Sequence, residues 1–274
     1  MNWHAYYRLM RLDKPVGILL LWFPTAWALW FANHGAPPWT LSILFFMGTI
    51  LMRTAGCLIN DIADRHLDRY VARTKDRPLA AGEVTLTATW GLFTGLLCVA
   101  YAILLQLPGP CVPMAFIALG LTLLYPFCKR FLKAPQCILG LAFSMGIPMA
   151  YAASYASLDE TAYLLWGITI LWVIAYDTEY AMADRDDDRR LGVQSTAILF
   201  GSYDRLIIGG LQTCCHVAWL LLASTSLSFY IGWSLGACVL LYQQTLIIHR
   251  TPTGCLLAFR TNTLYGFLMW LACL

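Results

Sequence analysis

Acids and amides at helical spacing are the first residues in this chain that could do chemistry. Residues 60–82, NDIADRHLDRYVARTKDRPLAAG, make an abrupt polar island in a sequence that is 59% apolar. On a helix, Asn60, Asp64 and Asp68 stand at i, i+4 and i+8, one face over two turns, with Asp61 beside them. Carboxylates this close repel one another unless a cation joins them. Oxygen donors with no Cys or His among them suit a hard ion, Mg²⁺ before Zn²⁺. A second island, YDTEYAMADRDDDRRLGVQST at 176–196, sets Asp177, Ala181, Asp184 and Asp188 at i, i+4, i+7 and i+11. Each stripe ends a long apolar segment and is followed by basic residues. The pair predicts two stripes facing each other across a cavity, holding a diphosphate through Mg²⁺. Either island alone would also fit a solvated loop between membrane helices; the repeated spacing favours a shared site.

The elements that must position these residues are long and apolar. Charged residues make up only 12% of the 274 residues, against about 25% in soluble domains, and the mean hydropathy is +0.64. The charges are clumped, leaving apolar runs of roughly 17–25 residues, enough to cross about 30 Å of hydrocarbon as helix. No strand-length alternation supports a barrel, so the expected class is all-α, a polytopic transmembrane bundle. The predicted spans are about 15–32, 39–59, 84–106, 111–127, 136–156, 162–182, 199–223, 229–248 and 261–274, nine helices in one domain over 1–274. The ten cysteines form no C-x-x-C pair, and those in apolar runs read as small core residues. The five histidines are scattered, which argues against a zinc site.

Charge placement orients the bundle. With the N-terminus cytoplasmic, segments 1–14, 60–82, 128–134, 183–205 and 249–260, together with Arg53, contain all 18 Lys and Arg. The opposite side has none, as the positive-inside rule requires. Both acid islands then lie on the cytoplasmic side, each after an even-numbered span.

At this point a resemblance enters. Asn60-Asp61-x-x-Asp64-x-x-x-Asp68 followed by RTKDRPLAAG, and YDTEYAMADRDDD followed by STAILFG, resemble the two signatures of the UbiA superfamily of intramembrane prenyltransferases. RLMRLDKPVGILLLWFPTAWALW, LMRTAGCLINDIADR, YPFCKR and the Pro-Gln at 135–136 are similar to the members that prenylate 4-hydroxybenzoate. The likeness covers nearly the whole chain. It implies nine helices around a central cavity open to the cytoplasmic side and to lipid. It also implies Mg²⁺ dependence and transfer of a polyprenyl group from polyprenyl diphosphate to 4-hydroxybenzoate in ubiquinone biosynthesis. The expected setting is the bacterial inner membrane, and nucleic acid is not an expected partner.

On that resemblance the residues take roles. Asn60, Asp64 and Asp68 are assigned to one ion, Asp184 and Asp188 to another, and Asp61 to the ligands' support; Asp64, Asp184 and Asp177 are the catalytic candidates. Asp177, two turns deeper on its stripe, would orient the acceptor's phenol or receive the proton lost on ring substitution. Tyr125-x-x-x-Lys129 puts a phenol and an ammonium on one helix face, and with Arg130 and Arg77 these are the diphosphate candidates. Lys133 and Arg190 read as membrane anchors. Arg53, seven residues before Asn60 and inside a span, either snorkels to the headgroups or pairs with the acceptor's carboxylate. Other acceptors on the same fold, such as a naphthoate, homogentisate or haem, and a cation transporter, are the alternatives. The transporter would need polar sites near the midplane and an exit on the far side.

Overall fold

The computed structural model describes residues 3–223 and 226–274; residues 1–2, at the head of the basic segment 1–14, lie outside the described residues. Among the described residues the protein is all-helical: α1 (Trp3–Leu9), α2 (Val16–Ala32), α3 (Trp39–Asp64), α4 (Leu86–Leu104), α5 (Cys111–Cys128), α6 (Gln136–Ser144), α7 (Gly146–Ala153), α8 (Glu160–Leu191), α9 (Thr196–Phe200), α10 (Asp204–Ala218), α11 (Leu227–Leu246) and α12 (Pro252–Ala272). Six stretches of the described chain are long and apolar enough to cross a membrane: Trp39–Asp64, Leu86–Leu104, Cys111–Cys128, Gln136–Ala153, Glu160–Leu191 and Thr196–Leu222. α2 is apolar but shorter, at 17 residues. α11 and α12 have the length but carry Gln243, Gln244, Arg260 and Asn262.

Helix starts follow their capping chemistry. Thr85 accepts from Ala88 N, Asp159 from Ala162 N and Thr251 from Gly254 N, with Pro252 as the first residue of α12. α8 ends at Gly192 in the left-handed region (φ 70°), where Val193 N donates to Asp188 O.

Several elements depart from the sequence reading. The first acid stripe is not one helix: α3 ends at Asp64, and Asp68 sits in a separate 3₁₀ turn, Asp68–Tyr70. Carboxylates at a helix C-terminus oppose its dipole, and the Asp68 side chain takes a hydrogen bond from Arg77 Nη1 (2.8 Å). The span expected at 136–156 is two helices broken at Met145. Pro148 has no N–H for the Ser144 carbonyl and its ring crowds that turn. At the break, a Cβ on Gly146 would overlap the Thr25 hydroxyl, so α7 approaches α2 closely there. The span expected at 199–223 is α9, a tight turn at Gly201 (φ 55°), then α10 and a 3₁₀ turn, Trp219–Leu222. α12 starts nine residues before the expected 261, at Pro252, which puts Arg260 inside the helix. The basic N-terminal segment contains a short helix, α1, with an Arg8–Glu83 ion pair.

The core lies where α2, α8, α10 and α12 meet. Trp27 packs edge-on to Trp219 (5.0 Å between centroids) and tilted against Trp172 (5.2 Å). Two of these indole N–H groups find partners: Trp27 donates to Gly266 O (3.2 Å) and Trp172 to Asn262 Oδ1 (2.8 Å). Asn262 also donates to the fully buried Glu179, as does Gln212 (3.0 Å each). α8 is thereby tied to α10 and α12 on the face away from its acid stripe.

Candidate active site

The ends of α3 and α8 open onto one cavity of about 1050 Å³, at the upper end of small-molecule sites. Its polar part is lined by Asn60, Asp61, Asp64, Asp68, Asp177, Asp184 and Asp188 together with Arg53, Arg77, Tyr125, Lys129 and Arg130. The apolar part is walled by side chains of α3–α7, among them Phe45, Leu97, Leu104, Phe116, Leu119, Phe143 and Met149. Every residue singled out in the sequence as a site candidate therefore borders the same space.

Within it, acids and bases are interlocked. Lys129 Nζ donates to Asn60 Oδ1 (3.0 Å) and Asp64 Oδ2 (3.4 Å). Arg77 Nη1 bridges Asp61 Oδ1 (3.1 Å) and Asp68 Oδ2 (2.8 Å). Burial raises the Asp68 carboxyl above its ordinary range, against the pull of Arg77. Asp61, nearly inaccessible, takes a second guanidinium from Arg11 (2.7 and 2.9 Å). Across the cavity, Arg73 Nε donates to Asp184 Oδ1 (2.9 Å), and its guanidinium lies 4.5 Å from the Tyr180 ring centre. Ala72 N donates to Asp187 Oδ2 (3.2 Å). The loop after α3 thus reaches over to the end of α8 and joins the two acid segments. Deeper, the Tyr125 hydroxyl donates to Asp177 Oδ2 (3.3 Å). Arg130 stands at the exposed rim and donates to the Ala63 carbonyl (2.9 Å), capping α3.

Arg53 points into the cavity wall: its Nη1 lies 2.8 Å from Cys57 Sγ. Arg53 and Tyr176 both line the cavity, and the Arg53 Nε and the Tyr176 hydroxyl are buried with no hydrogen-bond partner among the described residues. Such orphaned polar atoms are costly unless a ligand meets them. Sequence reasoning missed Tyr176, hidden in an aromatic-rich run. It also passed over Arg11 and Arg73, which composition cannot separate from membrane anchors.

No three His, Cys, Asp or Glu side chains among the described residues are grouped tightly enough to hold an ion as they stand. The donor chemistry nonetheless fits Mg²⁺: an amide and carboxylates only, lining one cavity, which Mg²⁺ can share with phosphate oxygens and water.

The profile of the UbiA prenyltransferase family matches residues 21–272. The chain belongs to the UbiA prenyltransferase family. It is a multi-pass membrane protein. Relatives within the family include a 4-hydroxybenzoate octaprenyltransferase of Legionella pneumophila, 55% identical over 98% of this chain and 97% of the relative. Another from Coxiella burnetii, with the same name, is 48% identical over 98% and 95%. The fold is similar to that of a UbiA homolog from Aeropyrum pernix K1 in its apo structure (TM-score 0.78, 22% identity, covering 92% of this chain and 94% of that one). It is also similar to a UbiA homolog from Archaeoglobus fulgidus bound to DMAPP and Mg²⁺ (TM-score 0.71, 17% identity, covering 97% and 99%).

Proposed function

We propose that this protein is a 4-hydroxybenzoate polyprenyltransferase: it moves a polyprenyl group from polyprenyl diphosphate to the ring of 4-hydroxybenzoate and releases diphosphate, in ubiquinone biosynthesis. The observation that carries the proposal is the convergence of α3 and α8 on one cavity that is acidic and basic at one end and apolar along the rest. A polyprenyl diphosphate has the same two-part character, a charged head on a greasy tail. The names of the relatives at 48–55% identity over nearly the full chain give the acceptor.

Asn60, Asp64 and Asp68 on one side, and Asp184 and Asp188 on the other, would hold Mg²⁺. The ion would neutralise the charge that grows on the leaving diphosphate as its C–O bond breaks. Lys129 and Arg77 release Asp64 and Asp68 to reach diphosphate oxygens, with Arg130 at the rim and the Tyr125 hydroxyl as a further donor. Apolar walls keep water from the allylic cation left behind. Arg53 takes the acceptor's carboxylate as a fork; its buried position beside Cys57 is unlike that of a headgroup-seeking anchor. Asp177, hydrogen-bonded to Tyr125, either orients the acceptor's phenol or receives the proton lost from the ring.

The placing of Lys and Arg supports nine spans, a cytoplasmic N-terminus and a site facing the cytoplasm of a bacterial inner membrane. Counted this way, α6 and α7 form one broken span and α9 with α10 another. The test is to incubate the purified protein in lipid nanodiscs with a polyprenyl diphosphate and 4-hydroxybenzoate, with and without Mg²⁺. Prenylated 4-hydroxybenzoate should form only with the metal; no product with metal present rejects the assignment.

A further inference from the structure

Beside the acceptor end of the cavity, α2 and α3 approach in an unusual way. Gly17, buried in the first turn of α2, faces Arg53 on α3. A Cβ built on Gly17 would overlap Nε, Nη2 and Cζ of Arg53. The guanidinium therefore occupies the volume that any other residue at position 17 would fill. Gly17 is helical and has no positive φ, so backbone freedom does not explain a glycine there. Nor does helix propensity, which favours alanine over glycine. What the glycine supplies is room. The other support of the guanidinium is Cys57, one turn along α3 from Arg53, with Sγ 2.8 Å from Nη1. A thiol is a weak acceptor, so this contact steers Arg53 without neutralising it. The result is a charged fork pressed into the cavity wall, with its Nε unpartnered among the described residues.

We infer that Gly17 is a positioning residue that sets acceptor specificity: its missing side chain lets Arg53 lie at the depth where it meets a carboxylate on the aromatic acceptor. The inference rests on the reading of Arg53 as the acceptor's partner. Any side chain at position 17 would push the long, flexible Arg53 off this seat and leave the helices in place.

The experiment compares wild type, Gly17→Ala, Cys57→Ala and Arg53→Ala in nanodiscs with Mg²⁺ and a polyprenyl diphosphate. Acceptors are 4-hydroxybenzoate and its neutral isostere 4-hydroxybenzamide, the amide read as a substrate or as a competing inhibitor. Gly17→Ala should keep the wild-type thermal midpoint and its KM for the polyprenyl diphosphate. Its KM for 4-hydroxybenzoate should rise about tenfold or more, the scale of losing a charged hydrogen-bond pair, while kcat changes by less than about threefold and affinity for the amide hardly moves. Cys57→Ala, which leaves Gly17 intact, should raise the same KM about two- to threefold and stands as the test if Gly17→Ala fails to fold. An unchanged acid KM in Gly17→Ala, where Arg53→Ala raises it, overturns the inference, and so does an equal loss for acid and amide, which would mark a packing defect. If Gly17→Ala fails to fold, an unchanged acid KM in Cys57→Ala overturns it. If Arg53→Ala also leaves the acid KM unchanged, the reading of Arg53 itself fails.

Discussion

The two acid-bearing helix ends carry similar residues at similar spacing and are held in different ways. At the end of α3, each carboxylate meets cations from the N-terminal half: Asp64 meets Lys129, Asp68 meets Arg77, and Asp61 meets both Arg77 and Arg11. At the end of α8, the partners are lent by the loop that follows α3, Arg73 to Asp184 at the cavity and the Ala72 amide to Asp187. The arginine of α8 next to Asp184 turns the other way: Arg185 pairs with the fully buried Asp204 of α10, which is also gripped by Arg250 Nη2 (2.8 Å). Arg250 itself adopts φ 51°, unusual for a residue other than glycine, and also donates to Ser202 O (2.9 Å). One end thus gathers positive charge around the cavity; the other presents acids to it and is braced from behind. A diphosphate entering between them would find its cations chiefly on the α3 side and, on the α8 side, Asp188 beside an Asp184 held by Arg73.

Substitutions at the two ends put this contrast at risk. The largest effect is expected where the ends are alike: Asp64→Ala and Asp184→Ala should each lower turnover about 10²–10³-fold or more, with the protein still inserted and folded in purified nanodiscs. Activity surviving in one of the two would confine the chemistry to the other end. Next comes the brace behind α8. Asp204→Asn leaves two guanidiniums facing a neutral amide and should cost about 2–4 kcal/mol in unfolding experiments, below the full value of a buried pair because the Arg250 side chain is 37% exposed. An unchanged unfolding midpoint would mean that the end of α8 is held from the cavity side alone. The smallest effect concerns the bridge between the ends. Arg73→Gln removes a partly exposed cation that competes for Asp184, so the Mg²⁺ concentration for half-maximal rate should fall about two- to threefold, while KM for the polyprenyl diphosphate rises. A higher Mg²⁺ requirement in this variant would assign Arg73 to organising the acids instead of competing for them.

The helices themselves were legible because the membrane permits little else: an apolar run must satisfy its backbone internally, and α2, α3, α4, α5 and α8 begin within about three residues of the expected positions. The stripe on α8 was legible for the same reason, since Asp177, Asp184 and Asp188 share one uninterrupted helix. Spacing alone places Asp68 on the helix; the structure sets it in a separate turn, where it takes a hydrogen bond from Arg77, nine residues on, a partner that spacing cannot register. The breaks at Met145 and Gly201 depend on where Pro148 and a positive φ fall relative to packing, which hydropathy averages away. Glu179 lies two residues from Asp177 and on another side of α8, so a buried carboxyl satisfied by amides sits next to one that faces the cavity. Arg11, Arg73 and Arg185 look like any inner-leaflet arginine in sequence. Only partners far along the chain, Asp61, Asp184 and Asp204, tell them apart.

The interlocking of Lys129, Arg77 and Arg73 with the acids bears on how such a protein is made. A nascent chain enters the bilayer before it meets any substrate, and bare carboxylates gathered around one cavity would strain that assembly. Here Asp61, Asp64, Asp68 and Asp184 each arrive with a counter-charge encoded in the same polypeptide, which lessens the need for metal during assembly. A cell starved of magnesium would then be expected to stockpile correctly built, idle enzyme, ready to work when the ion returns.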